Sequence, residues 1–127
     1  MSPLQTSLLV CSGAFLGANA RYWVGVALKP TLTQAFPWAT FAVNLSGCLL
    51  IGLVMGGMVH RAAWVHPLLV VGVLGGYTTF SSFGFETLFL VRDGYWAQAV
   101  AYVLGSLLLG VGATALGWAV ARSVFSG

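Results

Sequence analysis

The residues most able to do chemistry lie in residues 75–86, which read GGYTTFSSFGFE inside an otherwise apolar part of the chain. Five of them carry a hydroxyl or a carboxylate at the end of a short side chain: Thr78, Thr79, Ser81, Ser82 and Glu86. Hydroxyls donate hydrogen bonds without a formal charge, and backbone groups freed by an interrupted helix can hold ions. In lipid such groups are tolerated only where protein, an ion or water satisfies them. The segment is therefore the candidate functional site, and it predicts a break in a membrane-spanning helix.

Polar side chains also occur along the other apolar stretches, where each is costly in lipid and needs a partner or a function. They are mostly neutral hydrogen-bond donors, with one cation: Arg21, Thr40, Asn44, Ser46, Tyr102, Ser106 and Thr114. Those in the last stretch recur every four residues together with Gly110, and so share one slowly drifting helix face. A stripe of hydroxyls suits an anion pathway. The ordinary alternative is that each hydroxyl bonds its own helix or a neighbouring one.

Phe80 and Phe83 lie three residues apart, beside the donors of residues 75–86. Two phenylalanines at this spacing usually pack in a core. An aromatic ring is nevertheless positive at its edge, so ring edges directed into a narrow polar path attract a small anion without supplying a full charge. Weak partners of this kind suit an ion that has to bind and then leave.

These residues are carried by apolar stretches that are long enough to cross a membrane. The chain is 59% hydrophobic and 6% charged, which excludes an ordinary soluble domain. Four stretches can be drawn, at residues 4–28, 36–59, 63–90 and 95–124, and each exceeds the roughly 20 residues that a spanning helix needs. Residues 18–20 resemble a signal-peptidase site, but residues 1–7 lack a basic residue, so a retained first helix is expected. We expect one all-α membrane domain over residues 1–127, with four transmembrane helices and a broken third helix.

The positive charges do not favour one orientation of these four spans. Arg61 and Arg122 fall on one side, and Lys29 and Arg92 on the other, where Arg21 adds to the total if it is counted. Since lysine and arginine near span ends normally decide which loops stay in the cytoplasm, this distribution permits insertion in both directions. Two opposite copies could then form an antiparallel dimer. The alternative is a single orientation set by Arg21.

Glycines four residues apart predict close helix packing, because small residues let two backbones approach each other in lipid. The pairs are Gly13/Gly17, Gly52/Gly56 and Gly72/Gly76. A chain of four spans also has little interior in which to hide a polar path. Oligomerisation is therefore expected on packing grounds as well.

Three blocks of the sequence, taken together, resemble a known family. Residues 13–22 read GAFLGANARY, residues 40–47 read TFAVNLSG, and residues 75–86 form the segment described first. In this order and with four spans, they resemble the fluoride-channel family called Fluc or CrcB. The resemblance implies a dual-topology, antiparallel homodimer in the cell (inner) membrane, with two pores that export fluoride passively down its gradient.

The resemblance also implies roles for single residues. Phe80 and Phe83 look like the phenylalanines that line the pores, with Asn44 as a donor from the second span. Glu86 looks like the family's acidic residue beyond the phenylalanines. The full set of expected pore-lining residues is Thr40, Asn44, Thr79, Phe80, Ser81, Ser82, Phe83, Glu86, Tyr102 and Ser106.

Two further roles follow from the same resemblance. Arg21 is similar to an arginine near the aqueous vestibule. The backbone carbonyls of Gly75 and Thr78 are similar to those that hold a central sodium ion at the dimer axis, where two copies would supply four oxygens. A structural Na⁺ is therefore the expected cofactor, and fluoride, a second copy of the chain and membrane lipid are the expected partners.

The chain departs from the family's pattern at four positions. Ser82 stands where threonine is common and keeps a hydroxyl, whereas Gly84 and Gly110 stand where serine occurs and do not. The far end of the hydroxyl track is thereby altered. Tyr77 replaces the more usual leucine, and the sequence offers no physical reason for this change.

Two other functions are compatible with a small four-span protein. A proton-coupled exporter would need a titratable carboxylate in its substrate chamber, and Glu86 is the intramembrane candidate. An assembly subunit that binds haem would use His60 and His66, although both lie at loop ends, where interfacial residues are ordinary. The two acids, two loop histidines and lack of a nucleophile paired with a base argue against an enzyme.

Overall fold

The protein is described by a computed structural model at residues 1–28, 36–58 and 61–125. Every regular element in these three ranges is helical. The elements are α1 (Pro3–Leu28), α2 (Trp38–Gly57), a π-helical segment (His66–Leu74), α3 (Gly75–Tyr77), α4 (Phe80–Arg92) and α5 (Trp96–Phe125). The predicted all-α class is therefore confirmed. Lys29 and His60, used in the charge and haem arguments, lie outside the described residues.

Three helical stretches in the described ranges are long and apolar enough to cross a membrane. They are Trp38–Gly57, His66–Arg92 and Trp96–Phe125, and they agree with the second, third and fourth predicted spans. The helix α1 has 26 residues, which is long enough to span, but Asn19 and Arg21 lower its apolar character. The first of the four spans stays a prediction.

The third span is interrupted, as the sequence predicts, and the interruption lies at two threonines. Thr78 has φ −79° and ψ 158°, and Thr79 has φ −150° and ψ 115°, so both are extended between α3 and α4. Gly75 is helical, with φ −64° and ψ −34°. The glycines therefore do not form the break. Their part is to allow close helix packing just before it.

The third span begins with a π-helical segment. His66 was expected at a loop end, but it forms the first turn of this segment together with Pro67. Proline is tolerated there because the first amides of a helix have no partner within it. Val65, just before the segment, is only 2% exposed. The third span therefore starts at residue 66, three residues after the predicted start at residue 63.

The helices pack in two pairs, α1 against the π-helical segment with α3, and α2 against α5. All three predicted glycine pairs lie at these contacts. A Cβ atom at Gly72 would lie 2.9 Å from the Cα atom of Gly13, and one at Gly56 would lie 2.7 Å from the carbonyl oxygen of Trp118. The contacts join backbone to backbone, so any larger side chain would separate the helices.

The buried core of this chain is small and lies where α4 meets α5. Leu90, Ala99 and Tyr102 form it, and Tyr102 is completely buried. Elsewhere large apolar side chains point outward, such as Leu108 at 68% exposure and Val111 at 65%. An apolar exterior of this extent is typical of a protein that faces lipid or another chain.

Candidate functional site

The break in the third span is held by one side chain of α2. The amide nitrogen Nδ2 of Asn44 donates to the carbonyl oxygen of Thr79 at 3.0 Å, and the backbone N–H of Thr79 donates to Asn44 Oδ1 at 2.8 Å. A primary amide has a donor and an acceptor side by side, so it can pair with both backbone groups of one residue. Asn44 thus satisfies the polar groups that the break would leave open in an apolar surrounding.

Thr79 in turn starts α4 as its N-terminal cap. Its Oγ1 accepts from the backbone N–H of Ser82 at 3.2 Å and donates to Ser82 Oγ at 3.1 Å. Ser81 Oγ lies 3.3 Å from the same atom. A threonine at this position satisfies an amide that the first turn of a helix cannot pair. The structure therefore brings Ser81 and Ser82 to the cap, and their expected place in a pore lining stays a prediction.

The two hydrogen bonds between Asn44 and Thr79 form a clamp on the break. This clamp and the Thr79 cap together release two backbone carbonyls from helical hydrogen bonding. In a continuous helix the amide of Thr79 would donate to Gly75, and the amide of Ser82 would donate to Thr78. The first donates to Asn44 and the second to the Thr79 side chain. The amide of Thr78 donates to Leu74, at 2.9 Å. The carbonyls of Gly75 and Thr78, the predicted cation ligands, therefore do not accept the hydrogen bonds that these two amides would donate in a continuous helix.

An open cavity of about 530 Å³ lies beside the break, between the third span and helices α2 and α5. It is mostly apolar, with a few polar groups. Seven predicted site residues line it: Asn44, Gly75, Thr78, Thr79, Phe80, Phe83 and Ser106. The Phe80 and Phe83 rings are 5.5 Å apart between centroids, and Phe80 is 84% exposed. A concave apolar site with few convergent polar groups is the usual form of a ligand-binding region.

Three other predicted residues form a hydrogen-bonded cluster around one carboxylate. Thr40 Oγ1 donates to Glu86 Oε1 at 2.7 Å, and the Tyr102 hydroxyl donates to Glu86 Oε2 at 2.7 Å. Hydrogen bonds to a carboxylate are short and strong, so this cluster fixes α2, α4 and α5 to one another. The ring of Phe83 lies 5.0 Å from that of Tyr102 and joins the cluster to the cavity.

The predicted hydroxyl stripe of α5 faces α2 but divides into different roles. Tyr102 binds Glu86, and Thr114 donates to the carbonyls of Cys48 and Gly110, at 3.0 Å and 3.1 Å. Ser106 Oγ is buried and has no hydrogen-bond partner among the residues that the structure describes. Ser106 is therefore the hydroxyl of the stripe that is free for a ligand, whereas Thr114 follows the ordinary alternative of a helix-bonded hydroxyl.

Three further polar residues lie outside the cavity and the carboxylate cluster: Arg21, Ser46 and Tyr77. Arg21 is half-buried on α1, and it does not line the cavity, so its vestibule role stays a prediction. Ser46 Oγ lies 2.9 Å from the Tyr77 hydroxyl. This contact gives Tyr77 a partner that its sequence context does not indicate, because a pairing of two residues 31 positions apart depends on a helix rotation that no short motif encodes.

The sequence was also compared with known proteins. It matches the family model described as CrcB-like protein, Camphor Resistance (CrcB), over residues 8–118. It is 43% identical over 122 residues to a protein named fluoride-specific ion channel FluC from Nitrobacter winogradskyi, with 92% of this chain and 95% of the relative covered. A protein of the same name from Paracoccus denitrificans is 43% identical over 123 residues, with 96% and 98% covered.

A third relative with this name, from Chloroflexus aurantiacus, is 40% identical over 122 residues, with 94% of this chain and 97% of the relative covered. The matches thus run over almost the full length of both partners. They include the clamp at Asn44 and the broken span, which lie within the residues that the family model matches. The chain therefore belongs to the CrcB family.

Proposed function

We propose that this chain forms a fluoride-selective channel through which fluoride leaves the cell passively. The relatives that match it over nearly their whole length are named fluoride-specific ion channels. The observation that carries the proposal is the cavity beside the broken span, which combines Asn44, Ser106, Phe80 and Phe83. These groups offer neutral donors and positive ring edges, which hold an anion weakly enough to release it.

The donors of this cavity suit a small anion in number and in kind. The amide of Asn44 has two N–H groups, of which the clamp on Thr79 uses one. Ser106 supplies a buried hydroxyl with no partner in the described part of the chain. Both groups are fixed on helices that pack closely together, so they are oriented before an ion arrives. Preorganised dipoles of this kind replace the water around an ion at low cost.

We propose further that the working unit is an antiparallel homodimer with two pores. The even distribution of basic residues permits both orientations in the membrane. Phe80 lines the open cavity and is 84% exposed, so we infer that a second copy packed against Phe80 would cover the cavity. In this arrangement α1 is the first of four spans, and the dimer lies in the cell (inner) membrane with lipid around its apolar exterior. Arg21 is the expected cation of the vestibule.

The carbonyls of Gly75 and Thr78 fit a sodium ion at the axis of that dimer. Both residues line the cavity, and their carbonyls are released from the amides that would cover them in a continuous helix. Unwound carbonyls within a membrane span are hard oxygen ligands of the kind that coordinate Na⁺ in transporters. The ion would supply positive charge at the break, and two copies would supply four oxygens. Its role is structural.

The test is ion efflux from liposomes that contain the purified protein and potassium fluoride. With a potassium ionophore to balance charge, fluoride should leave without a proton gradient while chloride stays inside. Phe80→Ile or Phe83→Ile should slow fluoride efflux by about tenfold, the upper range for one aromatic interaction. Phe85→Ile is the matched control, because Phe85 packs on Phe89 and does not line the cavity.

The same assay separates the channel from a proton-coupled exporter. An exporter would need a proton gradient and would stop when Glu86 is replaced by glutamine. In the structure both carboxylate oxygens of Glu86 already accept hydrogen bonds, from Thr40 and Tyr102. Efflux that requires a proton gradient and disappears in Glu86→Gln alone would replace the channel with the exporter.

A further inference from the structure

Three positions of α2 face three consecutive residues of the third span, which are Tyr77 at the end of α3 and the two threonines of the break. Asn44 binds the backbone of Thr79, and Ser46 lies 2.9 Å from the hydroxyl of Tyr77. Gly47 faces the residue between them, because a side chain at Gly47 would collide with the methyl group of Thr78. The break is therefore held on both sides, by Asn44 after it and by Ser46 before it.

The direction of the bond between Ser46 and Tyr77 follows from the other contacts of Ser46. Its Oγ lies 2.7 Å from the carbonyl oxygen of Ala42 and 3.1 Å from that of Val43, and both oxygens can only accept. A serine hydroxyl has one proton, which is used by these carbonyls of its own helix. The Tyr77 hydroxyl is therefore the donor and Ser46 Oγ the acceptor. Such an arrangement fixes both hydroxyl groups.

Tyr77 is also held from the side of α1. A Cβ atom at Gly17 would lie 2.8 Å from the backbone nitrogen of Tyr77, so the two backbones are in close contact. The last residue of α3 is thus wedged between α1 and α2, with its side chain bonded to α2. The two released carbonyls belong to Gly75, two residues before Tyr77, and to Thr78, directly after it. An anchor at Tyr77 consequently restrains both of them.

We propose that Tyr77 and Ser46 are positioning residues for the cation site, which they preorganise by fixing the backbone between the carbonyls of Gly75 and Thr78. This inference rests on the sodium site proposed above. Asn44 restrains the chain after Thr78, and the hydrogen bond from Tyr77 to Ser46 adds a restraint before Thr78. Both restraints are in place before an ion binds, so less ordering has to accompany binding.

The test is the stabilisation of the full-length protein in detergent by sodium, followed as its thermal unfolding midpoint over a sodium titration with choline as the replacement cation. Tyr77→Phe keeps the ring and removes the donor. The apparent dissociation constant for sodium, taken from the dependence of the midpoint on sodium concentration, should rise about three- to tenfold, the size expected for one neutral hydrogen bond. The midpoint of Tyr77→Phe should therefore lie further below that of the unmodified protein at high sodium than without sodium, because stabilisation by a ligand follows the ratio of its concentration to its dissociation constant. Tyr95→Phe, at an exposed tyrosine between α4 and α5, should change neither value.

Variants of Ser46 provide an independent arm. Ser46→Ala should raise the apparent dissociation constant for sodium as Tyr77→Phe does, and the double variant should be no worse than either single one, because the two residues share one bond. Ser46→Thr keeps the hydroxyl and should restore the original sodium dependence. The inference is overturned if the variants lower the midpoint equally at every sodium concentration, since that is a packing defect, or if they leave it unchanged.

The outcomes also distinguish this inference from the function on which it rests. If sodium does not stabilise the unmodified protein at all, the cation site and its positioning pair both fail, while fluoride efflux from liposomes still stands or falls by its own measurement. If sodium stabilises the unmodified protein and Tyr77→Phe alike, the cation site stands and the role of the pair is refuted.

Discussion

The clamp of Asn44 on Thr79 makes a prediction that can be worked out from the structure. Asn44→Ala removes two hydrogen bonds, of 3.0 Å and 2.8 Å, that join α2 to the break. At about 1 kcal/mol for each bond, the free energy of unfolding should fall by about 2 kcal/mol. Hydrogen bonds between helices in membranes average closer to 0.6 kcal/mol, which gives about 1 kcal/mol for the pair.

The size of the loss in unfolding free energy indicates whether the amide of Thr79 finds another acceptor when Asn44 is replaced. If the amide of Thr79 stays unpaired in its buried position, an additional cost of about 1–3 kcal/mol applies. If it instead donates to Gly75 and extends α3, the loss stays near the lower figure, but the carbonyl of Gly75 is covered again. In the second case stabilisation by sodium should disappear together with fluoride efflux.

The assay is reversible unfolding in mixed micelles, combined with the liposome efflux described above. Asn19→Ala is the matched control, because the Asn19 amide donates at 2.7 Å to Phe15 of its own helix and is exposed. Its unfolding free energy should change by less than about 0.5 kcal/mol. If Asn44→Ala changed no more than this and kept full efflux, the clamp would have neither a structural nor a functional role.

Two further predictions concern packing and the carboxylate cluster. Gly72→Ala should lower the free energy of unfolding by about 1–3 kcal/mol, because the added methyl group would lie 2.9 Å from the backbone of Gly13. Gly112→Ala is the control and should be neutral or stabilising, because the space around Gly112 is open. Equal losses in the two variants would contradict the packing argument. Tyr102→Phe should lower the free energy of unfolding by about 1–2 kcal/mol and slow fluoride efflux, because it leaves one oxygen of Glu86 without its donor. Tyr95→Phe is the control. If Tyr102→Phe kept the original rate of efflux, the carboxylate cluster would lie outside the conduction path.

The sequence predicts the main elements and the broken span because those features depend on composition over many residues. Three apolar stretches agree with helices to within a few positions, and polar residues in the third mark its interruption. The location of the break at Thr78 and Thr79 was harder to predict from the sequence, because the neighbouring glycines are the stronger local signal for an interruption. In the structure their small size serves the packing of backbones.

The site was predicted as a set of residues, but the division of labour within it was not. Thr40, Glu86 and Tyr102 were all expected beside a pore, yet their mutual hydrogen bonds depend on the rotation of three helices. Ser82 was expected to line the pore as well, although a threonine three residues before it is a recognisable cap signal. The π-helical segment has no signal of its own in the sequence, because the residues that follow its first one, His66, are all apolar.

The arrangement of donors and acceptors at the break bears on both proposed ion sites. The amides of Thr79 and Ser82 are taken, by Asn44 and by the Thr79 side chain, whereas two carbonyls are released. These two oxygen acceptors suit the proposed cation. For the proposed anion, Asn44 and Ser106 of α5 line the same cavity, and the Asn44 amide has a second N–H group. We therefore expect the broken helix to serve fluoride indirectly, by fixing the positions of Asn44, Phe80 and Phe83 and by placing positive charge nearby through a bound ion.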